Sequence, residues 1–119
     1  MSPFELEHQE TEDPDLLHVA VSGELDLTNA RELEDRVREL TAGEASLLVL
    51  DLNRVVFIDS AALHVLFKLA RQRGRERLKL VVDPTAAIVR TLDIVGMKDA
   101  VRIAHTLEEA SAGRESTSA

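Results

Sequence analysis

The chain has 119 residues, 45% hydrophobic and 30% charged, and no cysteine; this is the length and composition of one globular domain, and it excludes a disulfide scaffold or a thiolate-rich metal site. The formal net charge is −8, which argues against general nucleic-acid binding, because a surface that neutralises phosphates is basic. No apolar run approaches the roughly 20 residues of a membrane span. Phe4 and Leu6 alternate with Glu5 and Glu7, and Leu17, Val19 and Val21 alternate with His18, Ala20 and Ser22. Period-two alternation predicts two half-buried strands, and Asp13-Pro14 between them suits a hairpin loop. From Thr28 to Leu40 the period changes, with Ala30, Leu33, Val37 and Leu40 on one helical face. Asn29 and Glu32 have the spacing of a capping box at its start.

Leu47-Leu48-Val49-Leu50 is a continuous apolar run, the mark of a strand buried on both faces of a parallel sheet. A second helix is predicted from Ser60 to Arg73, with Leu63, Leu66, Phe67 and Ala70 inward. Leu78 to Val82 reads as another buried strand. Asp83-Pro84 carries the signal of a helix start. Ile88, Leu92 and Val95 form that helix's apolar stripe, and Gly96 stops it. Val101 and Ile103 suit a short last strand, and Thr106 to Glu109 caps a final helix. The expected fold is α/β: an N-terminal hairpin followed by parallel strands in one mixed sheet, with helices packed on it. Residues 1–112 form the domain, and 113–119 a small polar tail that frays.

Charge is uneven along the chain. Residues 1–50 hold thirteen acids and three bases, and residues 51–119 nine acids and eleven bases. The basic stretch Arg71, Arg73, Arg75, Arg77 and Lys79 is interrupted by Gly74 and reads as a solvated helix end. Only Phe4, Phe57 and Phe67 are aromatic, too few for a base-stacking platform. His8 and His18 lie on neighbouring strands, but the alternation sends them to opposite faces of the sheet, so a shared metal is not expected. The acidic segment from Met1 to Glu10 lacks the parts of a secretory leader. A cytoplasmic protein without nucleic-acid or membrane partners is expected.

The turn at Asp59-Ser60-Ala61-Ala62-Leu63 is where chemistry concentrates. An apolar segment ends and a helix begins, at the strand ends where α/β sheets gather ligands. The plain reading makes Ser60 a capping serine, its hydroxyl among unpaired backbone N–H groups. A nucleophile elbow needs glycine two residues to either side, and Ile58 and Ala62 stand there. His64, one turn along, is read as a partly exposed helical histidine rather than a general base. The chain is therefore not expected to be an enzyme, and a small hydrolase built on Ser60 and His64 is the least favoured reading.

Three motifs in order resemble the STAS domain family, specifically the bacterial anti-anti-sigma factors (anti-sigma factor antagonists). They are Ser22-Gly23-Glu24-Leu25-Asp26, the segment from Leu50-Asp51-Leu52 to Val56-Phe57-Ile58-Asp59-Ser60, and Thr91-Leu92-Asp93-Ile94-Val95-Gly96-Met97. The resemblance spans about residues 4–112 and implies a STAS-like fold. It implies a protein that binds an anti-sigma factor and so frees a sigma factor. The anti-sigma factor is often a serine kinase that phosphorylates the position of Ser60 and thereby dissociates, with a serine phosphatase for reset. The kinase supplies nucleotide and Mg²⁺, so this chain needs no cofactor of its own. The expected partner surface is Glu24, Asp26, Thr28, Asn29, Asp59, Ala61, Ala62, Leu63 and His64. Family members often read Asp-Ser-Ser-Gly-Leu-Gly where this chain has Ala61, Ala62 and His64. An unphosphorylated STAS subunit of a stress-sensing or lipid-transport assembly is the alternative.

Overall fold

The computed structural model describes residues 4–42 and 47–115. Strand β1 (Phe4–Gln9) turns back on β2 (Leu16–Leu25); helix α1 (Ala30–Leu40) leads to β3 (Leu47–Ile58), and α2 (Ser60–Arg73) to β4 (Leu78–Val81). Short helices α3 (Val89–Ile94) and α4 (Met97–Ala100) precede β5 (Arg102–Ala104) and α5 (Leu107–Glu115). The strands lie side by side in chain order. β1 runs antiparallel to β2, and β2, β3, β4 and β5 are parallel. The expected mixed sheet is thus the observed one.

Side-chain parity explains the layering. Leu6 stands opposite Val21 and His8 opposite Val19, so the apolar positions of the hairpin share a face. That face carries Leu25, Leu48, Leu50, Val55, Leu78 and Leu80 beneath Leu33 of α1, Leu66 of α2, Leu92 of α3 and Met97 of α4. On the other face Leu16, Leu47, Val49, Val81 and Ala104 pack with Ala110 of α5. Residues 47–50 are all buried, as a run without alternation requires. One short helix cannot cover five strands. Beyond it, His18, Ala20 and Asp51 continue the second face into the open.

Several local predictions need correction. Asp83-Pro84 opens a turn, not a helix: Asp83 Oδ1 accepts from the Thr85 amide at 2.8 Å and its hydroxyl at 2.6 Å. Ala86 N then donates to Asp83 O, and Val89 N to Ala86 O. These three-residue steps are successive tight turns, and helical bonding begins only at α3. Gly96, at φ 71°, ends α3 as expected. Val95, however, is exposed, and buried Met97 of α4 fills the core instead. Asn29 does not cap α1: its Oδ1 accepts from Asp26 N at 3.0 Å and its Nδ2 donates to Glu24 O at 2.8 Å. Thr106 does cap α5, accepting from Glu109 N at 3.1 Å. The α5 helix runs through Glu115, three residues into the segment expected to fray; residues 116–119 of that tail lie outside the described residues.

Candidate functional site

Asp59 organises the junction between β3 and α2. The β2–β3 register pairs Leu25 with Ile58, and the Asp59 amide donates to Leu25 O at 3.0 Å. Sheet bonding therefore holds Asp59 extended, at φ −105° and ψ −178°, as the last residue before the helix. Its Oδ1 accepts from Ala62 N at 3.1 Å, the bond of an N-cap. Its Oδ2 accepts from Leu27 N at 3.0 Å, tying the loop after β2 to the start of α2. One carboxylate thus closes two segments 32 residues apart in sequence.

Ser60 is the first helical residue and is exposed. The capping-serine reading is overturned, because Asp59 performs that role. Among the described residues no hydrogen bond joins Ser60 to His64, which is also exposed. Both Asp59 oxygens are held by backbone amides, so this carboxylate does not orient His64. The arrangement is not that of a hydrolytic triad.

The second loop is shaped by Gly23 and Asp26. Gly23 has φ 97°, a backbone conformation that favours glycine, at a register shift between β2 and β3. Asp26 Oδ1 accepts from the amide and hydroxyl of Thr28, and Asp26 O accepts from Ala30 N at 2.8 Å. Across the α1–α2 seam, Glu34 accepts from Arg38 at 2.6 Å and Lys68 at 3.0 Å. Hydrogen bonds from Lys68 and Arg38 hold the Glu34 carboxyl below its usual range. The ion pairs bridge the exposed edge of two helices whose buried side chains, Leu33 and Val37 of α1 with Val65 and Leu66 of α2, belong to one core.

Of the nine residues expected to contact a partner, three face inward. Ala62 is 0% exposed, Leu63 8% and Asn29 2%; they build the site rather than present it. Glu24, Thr28 and His64 are exposed, and Asp26, Asp59 and Ala61 partly so. Sequence reasoning missed Leu27, 77% exposed beside the site, and the exposure of Phe57, which is 48% exposed and, paired in register with Glu24, lies on the sheet face away from the core residues Leu25 and Ile58. A signal existed for Leu27, which lies between the second strand and the helix predicted from Thr28, in neither element. Phe57 carried none, because a strand residue's exposure depends on what covers its face. The surface around Ser60 therefore mixes acidic groups with a large apolar side chain, Leu27, an arrangement suited to a protein partner. Among the described residues no three His, Asp or Glu side chains are placed to hold a metal, and no helix is long and apolar enough to cross a membrane.

Residues 7–110 match the STAS domain. The chain belongs to the STAS domain family. It is 30% identical over 95 residues to the anti-sigma-F factor antagonist RsfB of Mycobacterium tuberculosis, covering 80% of this chain and 78% of that one. The crystal structure of an anti-sigma factor antagonist from Mycobacterium paratuberculosis superposes with a TM-score of 0.80, at 25% identity over 93% of each chain. The anti-sigma factor antagonist SpoIIAA in its unphosphorylated form has the same fold, with a TM-score of 0.68 at 17% identity over 95% of this chain and 97% of that one. The same protein from Bacillus in its phosphorylated form gives 0.61 at 20% identity, over 94% and 99%. For SpoIIAA the likeness is one of fold. These STAS relatives are regulatory proteins by name rather than enzymes.

Proposed function

We propose that this chain is an anti-sigma factor antagonist whose grip on its partner is broken by phosphate on Ser60. The observation that carries this reading is the division of roles at the start of α2. Asp59 caps the helix, and Ser60 beside it presents an exposed hydroxyl that the fold does not need. A serine kinase can reach that oxygen without opening the domain. The γ-phosphoryl group passes from ATP to Ser60 Oγ, with ADP and the hydroxyl proton released. Identity of 30% to an antagonist from Mycobacterium tuberculosis supports the partner class, and SpoIIAA, which shares the fold, is known in a phosphorylated form.

Phosphate adds about −1.5 to −2 charge. At a helix N-terminus an anion is favourable by ~0.3–1 kcal/mol, so the domain stays folded. The effect falls on the interface. A dianion buried against a partner beside Asp59 costs ~2–5 kcal/mol of affinity, or about thirty- to several-thousand-fold in Kd. Leu27, Thr28 and His64 supply the contact area, and the acidic Glu24, Asp26 and Asp59 steer a basic partner. A serine phosphatase resets the label.

The test is partner capture from cells with and without ATP, followed by phosphosite mapping. Recovery of an anti-sigma factor kinase with phosphate on Ser60 is the expected result. Ser60→Ala retains the partner and resists modification, and Ser60→Glu binds more weakly. Ser60→Glu binding as tightly as the parent refutes the electrostatic account. A partner held equally with and without ATP, and no phosphate on Ser60, points instead to a constitutive subunit of a larger assembly.

A further inference from the structure

The second face of the sheet carries polar groups that the Ser60 site does not use. A depression of about 450 Å³ lies where α5 stops, lined by Glu7 and Gln9 of β1, His18 of β2, and Asp51, Asn53 and Arg54 of β3. That volume is within the usual range for small-molecule sites. Ala20, partly exposed, provides a shallow floor.

A bulge brings the cationic group there. Ala20 pairs with Asp51 and Ser22 with Arg54, so β3 advances three residues while β2 advances two. Without the extra residue, Asp51 and Arg54 would face opposite sides of the sheet. With it, Leu52 and Val55 both enter the core, and Arg54 joins Asp51 on the open face. Bulges of this kind re-aim side chains beside functional sites, and they are uncommon in parallel pairs.

His18 is the second observation. Its side chain is 12% exposed, and its Nε2 is buried with no hydrogen-bond partner. The nearest carboxylate oxygen, Asp51 Oδ2, is 3.9 Å away, beyond direct hydrogen-bond reach. Asp51 Oδ1 already accepts from Asn53 N at 2.9 Å. Burial lowers the His18 pKa against the pull of Asp51, and His8 lowers it further, so at neutral pH the ring is uncharged and does not neutralise Asp51.

We propose that this open half of the sheet binds a small zwitterion, its ammonium group held by Glu7 and Asp51 and its carboxylate or phosphate by Arg54. Two carboxylates offer acceptors to the donors of an ammonium group, and an arginine fork matches either anion. Nothing in the site depends on Ser60, so it stands apart from the partner surface.

The experiment is NMR titration of the ¹⁵N-labelled full chain with the α-amino acids and with phosphoethanolamine, using methylammonium and acetate as single-charge controls. Expected are saturable shifts at the His18 imidazole and the Ala20 and Asp51 amides, with millimolar Kd. Arg54→Ala and Asp51→Asn each weaken binding about tenfold and leave the thermal melt unchanged. Amino acids and phosphoethanolamine are compared to tell a carboxylate ligand from a phosphate one. No saturable shift from any zwitterion, equal affinity in Arg54→Ala, or methylammonium binding as tightly as the zwitterions would overturn the proposal.

Discussion

Replacing Asp59 separates the two bonds its carboxylate makes, and the magnitudes follow from the geometry. Asp59→Ala removes the cap on Ala62 N and the tie to Leu27 N. Loss of an N-cap costs about 1 kcal/mol. Loss of the Leu27 bond costs a further ~0.5–1.5 kcal/mol, toward the lower end because water reaches this exposed loop. The sum is about 2 kcal/mol, which lowers Tm by roughly 6–12 °C for a domain of this size. Asp59→Asn keeps a capping oxygen, since asparagine caps as well as aspartate, but puts an NH₂ group where Leu27 N–H needs an acceptor. It loses only the second bond, about 1 kcal/mol. Ser60→Ala, which removes no cap, stays within about 0.5 kcal/mol of the parent. Urea unfolding of the three variants, with hydrogen exchange read at the Leu27 amide, checks the division. If Ser60→Ala is as damaging as Asp59→Ala, or if Leu27 protection survives Asp59→Asn, the assignment of the cap and tie to Asp59 is wrong.

Asn29→Ala leaves Glu24 O and Asp26 N without the side chain that joins them, and at 2% exposure the loss is about 1–3 kcal/mol in chemical denaturation. Leu27→Ser, at an exposed position, leaves the melt nearly unchanged while it weakens capture of the anti-sigma partner by about 1–2 kcal/mol, measured by calorimetry. Burial lowers His18 from its ordinary value of 6.5, so below that pH the unfolded chain takes up a proton that the folded chain resists. Stability is therefore full above about pH 6.5 and declines as pH falls through the folded-state value; His18→Gln flattens that part of the pH–stability curve if His18 is its source.

The order of elements was written in the chain's periodicities. Alternation in residues 4–7 and 17–22 marked the hairpin, and the run from Leu47 to Leu50 could only be a strand covered on both sides. The bounds of α2 at Ser60 and Arg73 and the stop at Gly96 also came from local signals. Each of these depends on a side chain's own polarity or backbone freedom, so neighbours a few residues away suffice to define it. The three STAS-like motifs were legible for the same reason, being contiguous.

Which of Asp59 and Ser60 caps α2 was not a local matter. Both residues are good caps, and the choice falls to Asp59 because bonding to Leu25, more than thirty residues earlier in the chain, holds its backbone extended. Asn29 had the spacing of a helix cap, yet the loop folding back over Glu24 offered its amide better partners. Likewise Phe57 is exposed, and Arg54 shares a face with Asp51, only because α5 covers half a sheet face and a bulge shifts β3 against β2. Propensity and hydrophobic pattern act over one or two turns of chain, so they set the elements. Competition among donors and acceptors from distant strands, and the area left uncovered when helices run short, set the site.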